Sequence, residues 1–91
     1  VIVDKSECRL VLIEWLDSAR PVPEWKHLSD YKDSGPVKCT SVGWLLYDTQ
    51  EKKVLAPNMG DIESELNIQA CGVIQIPTCS VTRIVKLGEI D

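Results

Sequence analysis

The chain has 91 residues, 44% apolar and 26% charged, which describes one globular domain with a modest core and excludes a disordered chain. The net charge of −4 is shared: residues 1–35 and 36–91 each carry seven acids and five Lys or Arg, so no basic stretch speaks for general nucleic-acid binding. No apolar run approaches the ~18 residues that cross a bilayer, and the opening VIVDKSECRL lacks a basic-then-apolar secretory pattern, so a cytoplasmic protein is expected.

Residues 9–16 (RLVLIEWL) read as the first strand. Val11, Ile13 and Trp15 lie on one face; Leu10, Leu12, Glu14 and Leu16 lie on the other. Both faces are mostly apolar, which predicts cover on both sides. A 19-residue connection, 18–36, follows. Its three prolines and Gly35 exclude a central strand, and its length marks it as a candidate functional loop. Trp25, Leu28 and Tyr31 recur at spacing three, as along one side of a 3₁₀-like piece.

Residues 37–47 (VKCTSVGWLLY) form the second and longest strand. Gly43 inside it predicts a bend or a close backbone approach. Residues 48–51 turn, and residues 52–56 (KKVLA) close a hairpin as the third strand. Pro57 to Asp61 break it, with Asn58 and Gly60 expected in special turn conformations. Residues 61–69 are polar and acidic and read as a second loop or a frayed helical turn.

The stretch CGVIQIPTCSVTRIVKL (71–87) holds two further strands, 72–76 and 81–87. Pro77 ends the first of them, and residues 77–80 are too few for a helical crossover, so a tight 3₁₀-type turn joins them. The expectation is an all-β fold: a small five-stranded SH3-like or Sm-like barrel, core 9–87, with a long loop between strands one and two. Closure would remove the exposed edges of such apolar strands.

Little in the chain carries chemistry. His27 is the sole histidine, in the Pro-rich loop. No nucleophile-elbow, zincin or phosphate-loop pattern is present, no cofactor is implied, and Glu14 and Asp17 point to opposite faces of a strand end. A non-enzymatic protein is expected. Cys8, Cys39, Cys71 and Cys79 form no C-x-x-C pair; beside apolar runs they read as small buried hydrophobes in a reducing cytoplasm rather than metal ligands.

Binding residues are better marked. Trp15 and Trp44 lie on strands, where core packing is their natural role. Trp25 lies among polar loop residues; it either pins the loop to the barrel or offers a flat face for a base or ring. Asp17, Ser18 and Arg20 cluster at the strand end beside that loop, and Arg20 has the fork geometry for phosphate. Ser41, with Gly43, forms a small-residue surface where a ligand or second subunit could approach, and Asn58 is a further candidate ligand contact. Lys38, Arg83 and Lys86 on strands leave room for a local basic spot.

The segments EWLDS (14–18), SVGWLLYD (41–48), VLAPNMGD (54–61), CGVIQIP (71–77) and VTRIVKL (81–87) together resemble small uncharacterised proteins of tailed bacteriophages and prophages. The resemblance implies action inside a bacterial cell and brings no catalytic residues with it. Combined with the Trp25–Arg20 loop, it leads to the expectation of a homo-oligomer that captures a small nucleotide-like ligand of host defence. The alternatives are a protein-interaction module for a host or virion protein and, against the acidic charge, an Sm-like RNA binder.

Overall fold

A computed structural model describes residues 9–18, 23–32, 35–64 and 66–88. The apolar run that opens this span becomes β1 (Arg9–Asp17), an inner strand with antiparallel neighbours on both sides. The other strands are β2 (Val37–Asp48), β3 (Lys52–Ala56), β4 (Asn58–Gly60), β5 (Gln69–Cys71), β6 (Ile74–Pro77) and β7 (Val81–Lys86). Five of them form one antiparallel sheet in the order β6-β3-β2-β1-β7, and β4 and β5 form a separate two-stranded sheet. Short 3₁₀ turns occupy Leu28–Asp30 and Thr78–Ser80. The all-β class, the five-stranded sheet and the long connection between the first two strands are as the sequence predicts.

Two elements differ. Residues 58–60 and 69–71, expected in loops, pair as β4 and β5. The fourth long strand therefore starts at Ile74 rather than residue 72, because Gly72 takes a φ of +75° and turns the chain between β5 and β6. Pro77 does end that strand, as its last residue, opposite Lys52 on the sheet edge where a missing N–H leaves no ladder bond broken.

The link from β6 to β7 forces the sheet to curl. These two strands are its opposite edges, and a flat five-stranded sheet would hold them about 19 Å apart. Only Thr78–Ser80 separate them, and a 3₁₀ turn of that length advances roughly 6–8 Å. Thr78 anchors the link to the β2–β3 turn: its N–H donates to Glu51 O at 3.0 Å, and its Oγ1 donates to Thr49 O at 2.9 Å. Three residues later Val81 is already paired with Trp15 of β1. No ladder joins β6 to β7 among the described residues, so the sheet is curled but not closed by backbone hydrogen bonds.

The inside of the curl is the core. Val11 and Ile13 from β1, Leu45 from β2, Leu55 from β3 and Ile76 from β6 are buried together, with Trp15, Ile74 and Val81 packed against them. Each such aliphatic side chain contributes roughly 1.5–3 kcal/mol on burial. Gly43 faces Val11 across the ladder, and a Cβ there would lie 2.9 Å from the carbonyl oxygen of Ala56. The close approach predicted at Gly43 is thus present, and the register shift between Leu45 and Tyr47 supplies the bend next to it.

The outer face of the sheet is covered unevenly: Val54 and Ala56 of β3 are buried, and Ala56 is paired with Trp44 on that face. The register places Leu10 beside Trp44, and Val85, Leu12 and Val42 in one row across β7, β1 and β2, all on the outer face. Val42 is 48% exposed and the others are half-buried. β1 is apolar on both sides, but the core takes only one of them.

Candidate functional site

Of the six positions marked by the sequence, the five that are described do not converge. Asp17 and Ser18 end β1 at the root of the long connection. Asp17 Oδ1 accepts the backbone N–H of Ser18 at 2.8 Å, which is local turn chemistry on an exposed corner. Arg20 lies outside the described residues.

Ser41 belongs to the core wall. It sits opposite Ile13, and its Oγ accepts the indole N–H of Trp15 at 3.0 Å, so Ser41 satisfies the one polar group that a half-buried Trp must place. Gly43 beside it is buried. Ser41 and Gly43, read from the sequence as a small-residue surface, both lie on the inner side of the curl. Trp15 packs on the core, as predicted, while Trp44 stands on the outer face.

Asn58 is in β4, opposite Cys71, and its backbone is ordinary strand. The positive φ values fall on Gly35, Asp61 and Gly72 instead. Asn58 lines a shallow groove of about 250 Å³ with Met59, Gly60, Gln69, Ala70 and Cys71. The groove carries two side-chain amides and no charged group. Sequence reasoning missed it because three-residue strands leave no periodic trace.

Trp25 stands apart from all of these. It is fully exposed, Leu28 is 92% exposed and Tyr31 is 54% exposed. Backbone bonds from Asp30 N–H to His27 O (2.9 Å) and from Tyr31 N–H to Leu28 O (3.3 Å) build the single 3₁₀ turn between them. Trp25 does not pin the connection to the sheet. Residues 23–32 form an arm that presents an aromatic ring and a large aliphatic side chain to solvent. Its charges balance, with Glu24 and Asp30 against Lys26 and Lys32.

Other chemistry is sparse. Cys39, Cys71 and Cys79 are free thiols; Cys39 is half-buried and the other two are exposed, which corrects their reading as buried hydrophobes. Cys8 lies outside the described residues. Among the described residues no group of three or more His, Cys, Asp or Glu is placed to hold a metal ion. The three strand cations that left room for a local basic spot are dispersed. Arg83 Nη1 lies 3.6 Å from Glu14 Oε1, Lys86 falls on the opposite face of the sheet, and Lys38 lies opposite Leu16, further along β1. Lys52 lies over the Tyr47 ring at 5.6 Å, and Lys53 pairs with Asp48. No described helix is long and apolar enough to cross a membrane.

No protein-family model matches the chain, and no curated protein or solved structure matches it significantly.

Proposed function

We propose that this protein is a non-enzymatic interaction module, an SH3-like small barrel whose 23–32 arm grips a partner protein. The strand order, with the last strand returning through a 3₁₀ turn to pair with the first, supports the SH3-like reading. One observation carries the function: Trp25 and Leu28 are exposed to a degree that large apolar side chains take on when their cover is another molecule. Trp and Tyr also dominate the energetics of protein interfaces. The phage-type resemblance of the strand segments supports a host or virion protein inside a bacterial cell as the target.

Capture of a small nucleotide-like ligand is the second reading. It draws on the open Trp25 ring and on the groove at Asn58, whose amides suit a base edge better than a phosphate. RNA binding is the weakest of the three, because the arm is neutral and the strand cations are dispersed or paired.

The test compares wild type with Trp25→Ala/Leu28→Ala. Both are tagged and purified gently from bacterial cells, and what they retain is weighed by native mass spectrometry. The module reading expects one protein at fixed stoichiometry on the wild type, rebinding when purified and lost from the variant. A retained mass of a few hundred daltons, with no protein, would transfer the assignment to ligand capture. A protein held equally by both forms would remove the arm from the function.

A further inference from the structure

β7 is an edge strand, and the direction of its backbone groups can be read from one bond. The N–H of Leu87 donates to Leu10 O at 2.9 Å. By the alternation of an antiparallel ladder, Leu87, Val85 and Arg83 turn their N–H and C=O groups toward β1. Ile84 and Lys86 turn theirs the other way, where β7 has no neighbouring strand among the described residues. The same two residues are exposed. Ile84 stands beside the fully buried Ile13 on the core side of the sheet, yet it is 38% exposed. Lys86 stands beside Val11 and has no acidic partner among the described residues.

We infer that the free edge of β7 is a docking site for an extended, acidic segment of another protein, added to the sheet as an antiparallel strand. The site goes beyond the arm reading and uses none of the arm's residues. Three features choose this occupant. The first is the backbone. Ile84 and Lys86 present N–H and C=O groups two residues apart along one line, a pattern that another extended backbone satisfies. The second is charge. β7 carries Arg83 and Lys86 and no acid. A carboxylate opposite Lys86 and a β-branched side chain opposite Ile84 are the pairs that stabilise such a ladder. The third is that the chain's own edges fit poorly. A second β7 would bring another Arg and Lys into the same ladder. On β6, Thr78 N–H donates to Glu51 O, so Pro77 and Gln75 face the free edge, and Pro77 has no N–H to give.

The test titrates the whole chain with a capped peptide, Thr-Thr-Glu-Val-Val-Glu-Thr-Thr. Its core sets Glu opposite Lys86 and Arg83, and Val opposite Val85 and Ile84. Amide NMR reads the binding, and hydrogen exchange reads the place. Exchange of the Ile84 and Lys86 amides should slow, with the arm amides unchanged. A peptide with Lys in place of both Glu residues should bind roughly fivefold more weakly or worse, as cross-strand charge pairs require. Lys86→Pro deletes one outward N–H without touching the bonds to β1, and should weaken the acidic peptide about tenfold. Lys86→Glu keeps every backbone donor and should reverse the preference between the two peptides. Circular dichroism checks both folds. An acidic peptide that fails to bind at millimolar concentration, or that binds either variant like wild type, would overturn the inference. So would protection of the Ile84 and Lys86 amides in wild type alone as its concentration rises, because a second copy would then occupy the edge. Trp25→Ala/Leu28→Ala should bind the peptide like wild type. Peptide binding lost in that variant would move the contact to the arm, remove this site and leave the module function standing. Peptide binding at the edge, with no protein captured through the arm, would do the reverse.

Discussion

The indole N–H of Trp15 donates to the hydroxyl of Ser41 at 3.0 Å, across the ladder between β1 and β2. The bond lets a large, amphipathic ring close one end of the core without stranding its donor. Ser41→Ala removes the acceptor and should lower stability by about 1 kcal/mol. The midpoint of urea unfolding, followed by circular dichroism, checks the value. Partner capture should be unaffected. A variant that unfolds like wild type yet loses binding would mean that Ser41 is a contact residue after all.

Gly43 is the second point where the sheet has no slack. A methyl group would be driven to 2.9 Å from the carbonyl oxygen of Ala56, a backbone atom that cannot swing aside. Gly43→Ala should cost roughly 1–3 kcal/mol through overpacking. Gly60, whose Cβ would meet open space, is the control: Gly60→Ala should shift the unfolding midpoint far less.

Much of the sheet was legible in the sequence because its strands are long, β-branched and bounded by turn residues. β3 is found where the KKVLA run predicts it, and the 3₁₀ link follows from Pro77 and the short spacing to Val81. β4 and β5 were not legible: each is three residues long, and their pairing depends on the φ of Gly72 and on contacts distant in sequence. Candidate site residues were harder still. The types of Ser41 and Asn58 suit ligand contact, but whether a hydroxyl faces solvent or a neighbouring indole is decided by register. That register pairs Ile13 with Ser41, and no local pattern states it. The arm shows the converse. Its spacing of three was visible, but full exposure of Trp25 became evident only once the sheet and its core were in place.

The link that curls the sheet is held by Thr78. Its hydroxyl donates to Thr49 O at 2.9 Å and its N–H to Glu51 O at 3.0 Å. Thr78→Val keeps the shape and the backbone bond but deletes the hydroxyl bond, which is partly exposed, so a loss of about 0.5–1.5 kcal/mol is expected. Hydrogen exchange should report it locally, with faster exchange of the Thr78 amide and of the edge pairs between β3 and β6. Exchange of the β1–β2 ladder should stay near wild-type rates.

The arm should be dispensable for folding. Trp25 and Leu28 bury almost nothing within one chain, so truncating them removes no core contact. Trp25→Ala/Leu28→Ala should unfold within about 0.5 kcal/mol of wild type, the range of surface substitutions away from structural features. Acrylamide quenching gives a second reading. Trp25 should be freely quenched while Trp15, packed on the core, is shielded and the half-buried Trp44 lies between, so Trp25→Phe should remove the most readily quenched part of the emission. Arm substitution that destabilises a dilute monomer by several kcal/mol would mean that Trp25 packs within its own chain, and the arm would no longer be free to grip anything.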